Sequence, residues 1–151
     1  MSRKWPSFLT LFLFLTGTFA CSFFNSDPKP TLRDRLGGQI NQAQQVEQQA
    51  ADLWDRVLFG ETVNCGESIT VPEPFFLTVK EAEENPPSVA IRDSLNNALG
   101  ELTHAADLWE QECQLDRAVV PLEVVREAED ALQSARDLLN QSVSAWTVWQ
   151  A

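Results

Sequence analysis

The sequence predicts an all-α protein built as a three-helix bundle, with helices over about residues 32–60, 88–116 and 121–149. Three observations predict it. Apolar residues recur at helical spacing in three separate segments. Glycine and proline clusters punctuate the chain between those segments. The faces opposite the apolar stripes carry acids and glutamines, as expected for helices packed around one core.

The first helix has Leu36, Ile40, Ala43, Ala50, Trp54 and Val57 on one stripe, widened by Val46, Leu53 and Leu58. Thr31 followed by Asp34 is a capping-box signal at its start, and Gly60 is a C-terminal stop. Gly37-Gly38 weakens the first turns, so the regular helix is expected to begin nearer Gln39. The second helix follows Pro86-Pro87 with Ser88 as N-cap, and its stripe is Ile91, Leu95, Ala98, Leu102, Ala106, Trp109 and Cys113. The third starts near Pro121, a residue suited to a first helical position. Its stripe is Val124, Ala128, Leu132, Ala135, Leu139, Val143 and Trp146.

Residues 61–87 form a long connection with four prolines and the apolar cluster Phe75-Phe76-Leu77. Thr78 with Glu81 is a cap for one or two helical turns before Asn85-Pro86. A connection of this length in a small domain is functional or packed as a strap. Phe75 and Phe76 either fill the groove between the first two helices or face outward as a contact for a partner or ligand.

Cys65 lies just past the first helix and Cys113 near the end of the second. Two thiols in one exported domain pair, and bridged Cα atoms lie about 4.4–6.8 Å apart. A Cys65–Cys113 bridge would make the first two helices parallel, with residues 61–87 as the returning crossover and the third helix antiparallel to both. A plain up-down-up bundle is the alternative. A six-residue echo fits the crossover arrangement: Ala50-Ala51-Asp52-Leu53-Trp54-Asp55 matches Ala105-Ala106-Asp107-Leu108-Trp109-Glu110.

Ahead of this body stands a targeting segment. Arg3-Lys4 precedes an uncharged apolar run over residues 5–24, and small residues Gly17 and Ala20 lead to Cys21. Thr18-Phe19-Ala20-Cys21 and the run before it resemble bacterial lipoprotein precursors. The resemblance implies a signal peptide over residues 1–20, cut before Cys21, and lipidation of the Cys21 thiol. Plain cleavage and an uncleaved N-terminal helix are the other two readings, since about 20 apolar residues span a bilayer. All three put the body outside the cytoplasm. Residues 21–31, with Pro28 and Pro30, form a tether, and residues 32–151 the helical domain.

Composition narrows the function classes. All 22 acidic residues lie beyond residue 20, and loss of Arg3 and Lys4 with a signal takes the net charge from −11 to −13. Such a body repels nucleic acid and anionic lipid headgroups. His104 is the lone histidine, Met1 the lone methionine, and HExxH, CxxC, CxxCH, GxGxxG and phosphate-loop motifs are missing. The sequence therefore assigns no catalytic residue, metal ligand or cofactor. Paired acids such as Glu123/Glu127 read as solvated faces near a helix N-terminus. Trp54, Trp109 and Trp146 fit core stripes, and Trp149 is the tryptophan expected to be exposed and available to a partner. The expectation is a membrane-tethered interaction or structural module with a protein partner, the alternative a small-ligand or metal-binding protein with a pocket under the strap.

Overall fold

A computed structural model describes residues 29–115 and 119–150. The signal segment, Cys21 and most of the tether lie outside the described residues, as does part of the link before the last helix. Helix is the only regular secondary structure among the described residues, and none of them forms a strand. Four helices follow in order: α1 (Leu32–Leu58), α2 (Val79–Glu84), α3 (Pro87–Gln114) and α4 (Leu122–Gln150). Three of them are the long expected helices; the fourth, α2, is the short helix that Thr78 and Glu81 signal within the strap.

Two helix starts are fixed by the same device. In α1 the Thr31 hydroxyl and backbone N–H donate to the Asp34 carboxylate at 2.7 and 3.0 Å, and Asp34 N–H donates back to Thr31 Oγ1. In α2 Thr78 and Glu81 repeat the pattern. These bonds favour the charged carboxylates. Both groups lie below their ordinary values of 3.8 and 4.5, Asp34 chiefly through the Thr31 hydroxyl and Glu81 chiefly through the Thr78 backbone N–H. A lowered folded-state pKa contributes stability above the ordinary value and loses it as pH falls through the lowered one. The helix signal of the protein is therefore expected to fray in acid, and Asp34→Asn with Glu81→Gln should flatten that acid limb in a circular-dichroism titration. An unchanged limb would show that the caps do not set it.

The first turns of α1 differ from expectation. The helix starts at Leu32, not near Gln39, because the capping box holds its end and Gly37 is used for packing. A Cβ at Gly37 would stand 2.7 Å from a ring carbon of Trp146 on α4, whereas one at Gly38 would meet nothing within 4 Å. Opposite outcomes follow for neighbouring glycines. Gly38→Ala should raise stability by about 0.5–1 kcal/mol through helix propensity. Gly37→Ala should lower it by about 1 kcal/mol, since the clash outweighs that gain. Urea unfolding of the two variants checks the signs. At the other end Gly60, at φ 74°, takes the left-handed position just past the Phe59 C-cap.

Ser88 is not an N-cap. Pro87 occupies the first position of α3, where its missing N–H costs nothing, and the buried Ser88 hydroxyl donates back to Asn85 O at 2.7 Å.

Side-chain contacts set the helix directions. Late residues of α1 and α3 meet: the Trp54 indole N–H donates to Ala105 O at 3.2 Å, and the Trp54 and Trp109 rings stand edge to face at 6.0 Å. Early residues of both meet the same part of the strap, Arg35 lying over the Phe75 ring and Asn96 holding Phe75 N and O. The two helices thus run side by side in one direction. On α4, Glu127 pairs with His104 and the late Trp146 donates to Arg33 O, so α4 runs against both. Among the described helices the α3–α4 contact is the most extensive, and Ala98 and Ala105 on α3 and Ala128 and Ala135 on α4 are fully buried. Glu47 on α1 is a buried exception to the apolar stripe, and its carboxylate accepts from the Arg136 guanidinium of α4.

Candidate functional site

The functionally suggestive region is the strap and the end of the bundle it covers. Cys65 and Cys113 stand at disulfide-bonding distance, Cα to Cα 5.5 Å, which pins the strap to the C-terminal end of α3. Further polar contacts hold it along its length. The Trp109 indole N–H donates to Glu67 O at 2.8 Å, and Arg56 on α1 pairs with the Glu67 carboxylate. That pairing is the leading cause of a lowered Glu67 pKa and a raised Arg56 pKa. Gln39 Nε2 donates to Glu73 O at 2.8 Å, and Arg35 pairs with Glu81 at 2.6 Å.

The paired phenylalanines divide between the two roles open to them. Phe75 is 8% exposed and belongs to the core beneath Arg35. Phe76 is 75% exposed and faces outward. Trp149 is half-buried, not exposed: it packs against the core, and the Arg33 guanidinium lies 4.9 Å from its ring centre. A cation above the ring and the neighbouring helix together take it out of solvent.

Two grooves flank the cysteine pair. The first, about 380 Å³, lies among Val57, Val63, Trp109, Cys113 and Val120 at the end of the bundle. The second, about 670 Å³, runs between strap residues 67–74 and the C-terminal half of α3. The first borders both α1 and α3 at their C-terminal ends, past the Trp54–Trp109 contact, whereas the second is lined by α3 and the strap. Around the same end stand exposed large apolar side chains from three elements: Leu58 and Phe59, Leu115, and Val119 with Leu122. Leu58, expected to widen the core stripe of α1, is exposed instead because it lies in the last turn, beyond the packed part of the helix. The other four were not singled out by the sequence, and their one signal was apolar residues running past the helix ends. It also missed Ser68-Ile69-Thr70-Val71, a β-branched alternation bounded by Pro72 and Pro74.

Among the described residues no group of three or more His, Cys, Asp or Glu is placed to hold a metal ion. No helix of the described residues is long and apolar enough to cross a membrane. His104 and Glu127 form an exposed pair at 3.1 Å. The molecule so defined is an acidic helical bundle with a cross-linked strap. Comparison with protein-family models, curated proteins and solved structures returned no match.

Proposed function

We propose that the chain is a membrane-tethered, extracytoplasmic interaction module of the bacterial envelope, held by a lipid on Cys21 or by an uncleaved N-terminal helix. In this reading it is not an enzyme and binds no nucleic acid. Its working body is a three-helix bundle of α1, α3 and α4, with α2 serving as part of the strap. The observation that carries the reading is the placing of exposed apolar side chains. The tether reaches α1 at Thr31, and α1 extends about 40 Å from there. Leu58, Phe59, Leu115, Val119 and Leu122 gather at the far end, beside the cysteine pair and away from the attachment point. Apolar residues grouped at the free end of an anchored body suit a protein partner. Phe76 adds a second exposed contact on the strap beside Arg35, while Phe75 and Trp149 are packed at that same end of α1, under Arg35 and Arg33.

Two measurements on the full chain test this. Intact mass of the membrane-extracted protein should begin at Cys21 with added acyl groups, or include the N-terminal helix. A photo-crosslinker at Phe59 or Val119 should join a discrete envelope protein. A soluble product starting at Cys21 without lipid, or crosslinks only to bulk lipid, would overturn the proposal. The second reading, a ligand site under the strap, has one observation in its favour, the groove beside residues 68–71.

A further inference from the structure

We infer that the groove between strap residues 68–74 and the C-terminal half of α3 binds an extended, positively charged peptide segment, which adds as a strand beside residues 68–71. The inference rests on the interaction reading above but not on the tether.

The first ground is local chain geometry. Residues 68–71 alternate: Ile69 and Val71 are partly buried against the core, while Ser68 and Thr70 are exposed. That is the period of a strand, in a segment with no strand partner among the described residues. Pro72 and Pro74 limit the segment on one side, as prolines limit strand edges.

The second ground is the main chain. Among the described residues, the backbone of residues 68–72 makes no hydrogen bond within the protein. Its flanks are fixed, Glu67 O by Trp109, Glu73 O by Gln39 and Phe75 by Asn96. The strap is thus held on both sides of residues 68–72 and left unpaired between. A backbone segment already ordered by its flanks presents donors and acceptors to a second strand at low entropic cost.

The third ground is the groove itself. At about 670 Å³ it is large enough for several residues of extended peptide. Ile69, Val71, Ala106 and Trp109 supply apolar lining, and four carboxylates, Glu67, Glu73, Asp107 and Glu110, supply its only charges. Arg56 answers Glu67; the other three carboxylates form no ion pair among the described residues. Charge complementarity therefore selects a basic segment and rejects an acidic one. An alternating basic and apolar peptide satisfies all three grounds, with backbone pairing to the strap, apolar side chains toward Trp109 and cations toward Asp107 and Glu110.

The test uses the full chain in neutral detergent micelles and a fluorescein-labelled peptide of alternating lysine and valine, followed by anisotropy. Saturable binding is expected, weaker by about tenfold or more for the glutamate–valine counterpart. Asp107→Lys with Glu110→Lys, both at exposed positions, should weaken lysine-peptide binding by about tenfold or more, while Glu123→Lys with Asp130→Lys on α4 should leave it within about twofold. Strand addition uses one edge of the peptide, so N-methylation of either the valines or the lysines should abolish binding while the other pattern is tolerated. Equal binding of both peptides, equal loss from the α4 reversal, or indifference to both N-methylation patterns would each overturn the inference. Vesicle flotation of the same preparation separates the two claims: flotation retained with no peptide binding removes the groove alone, and the converse removes the tether alone.

Discussion

Reduction of the Cys65–Cys113 bridge should lower the stability of the body by about 2–4 kcal/mol while leaving its helices formed. The bridge closes a loop with a sequence separation of 48, for which the chain-entropy model gives a contribution of about 4 kcal/mol. The lower bound allows for structure retained by the reduced unfolded chain. The helices survive because the bridge lies at the edge of the core: Cys65 is exposed, Cys113 is only partly buried against it, and Trp54, Leu95, Leu102 and Leu132 remain buried without it. The strap should loosen unevenly. Residues 61–71 depend on the bridge, on Glu67 and on Trp109, whereas residues 73–81 keep their own contacts to Gln39, Asn96 and Arg35. Urea unfolding with and without a phosphine reductant measures the first effect, and amide exchange across the strap measures the second. Coincident unfolding curves would show that the bridge is not formed or that it does not constrain the unfolded chain. Cys65→Ala with Cys113→Ala should reproduce the reduced protein.

The helices were legible in the sequence because each carries its own periodic stripe. Leu36, Ile40, Ala43 and Ala50 on α1 and Ala128, Leu132, Ala135 and Leu139 on α4 are all buried, as their spacing requires. The two capping boxes were legible for a similar reason: a threonine and an acid three residues later satisfy each other locally, whatever the rest of the chain does. Gly37 was misread because propensity counts a glycine as a weakness. Its value here is the space it leaves for Trp146, a partner far along the chain. Trp149 was misread likewise, since nearness to the chain end says nothing of Arg33 lying above its ring. The grooves were least legible. They depend on where an irregular strap settles against α3, and the hydrogen bonds that settle it there join residues separated by 21 to 42 positions.

The parallel course of α1 and α3 gives the two groove-lining residues Cys65 and Cys113 a common wall. Both grooves include the cysteine pair and Trp109, one at the end of the bundle and the other along its side. A partner that reached the apolar end could therefore extend a segment into the acidic groove without leaving the same face of the protein. This arrangement follows from the long crossover. A short connection would have set α3 antiparallel to α1 and put Cys113 at the far end from Cys65.

Trp54→Ala should be the most damaging single substitution in the body, at about 3–5 kcal/mol. Trp54 is 1% exposed and is among the largest fully buried side chains. Its removal would open a cavity between α1 and α3, end the edge-to-face contact with Trp109 and withdraw the N–H that reaches Ala105 O. Trp54→Phe separates these effects. It keeps most of the ring volume and loses the hydrogen bond, so a smaller loss of about 1–2 kcal/mol is expected. The ring contact itself is read from a double-mutant cycle with Trp109→Phe, where coupling of about 0.5–1.5 kcal/mol is expected for an aromatic pair in this geometry. The cycle also reports on the strap. Trp109 holds Glu67 O through its indole N–H, so Trp109→Phe should speed amide exchange around Glu67, and Trp54→Phe should not. Equal effects of the two substitutions on the strap would mean that the tryptophan pair moves as a unit. Zero coupling would mean that each ring is held by its own helix and that the matched Leu-Trp pairs at Leu53-Trp54 and Leu108-Trp109 meet without stabilising one another.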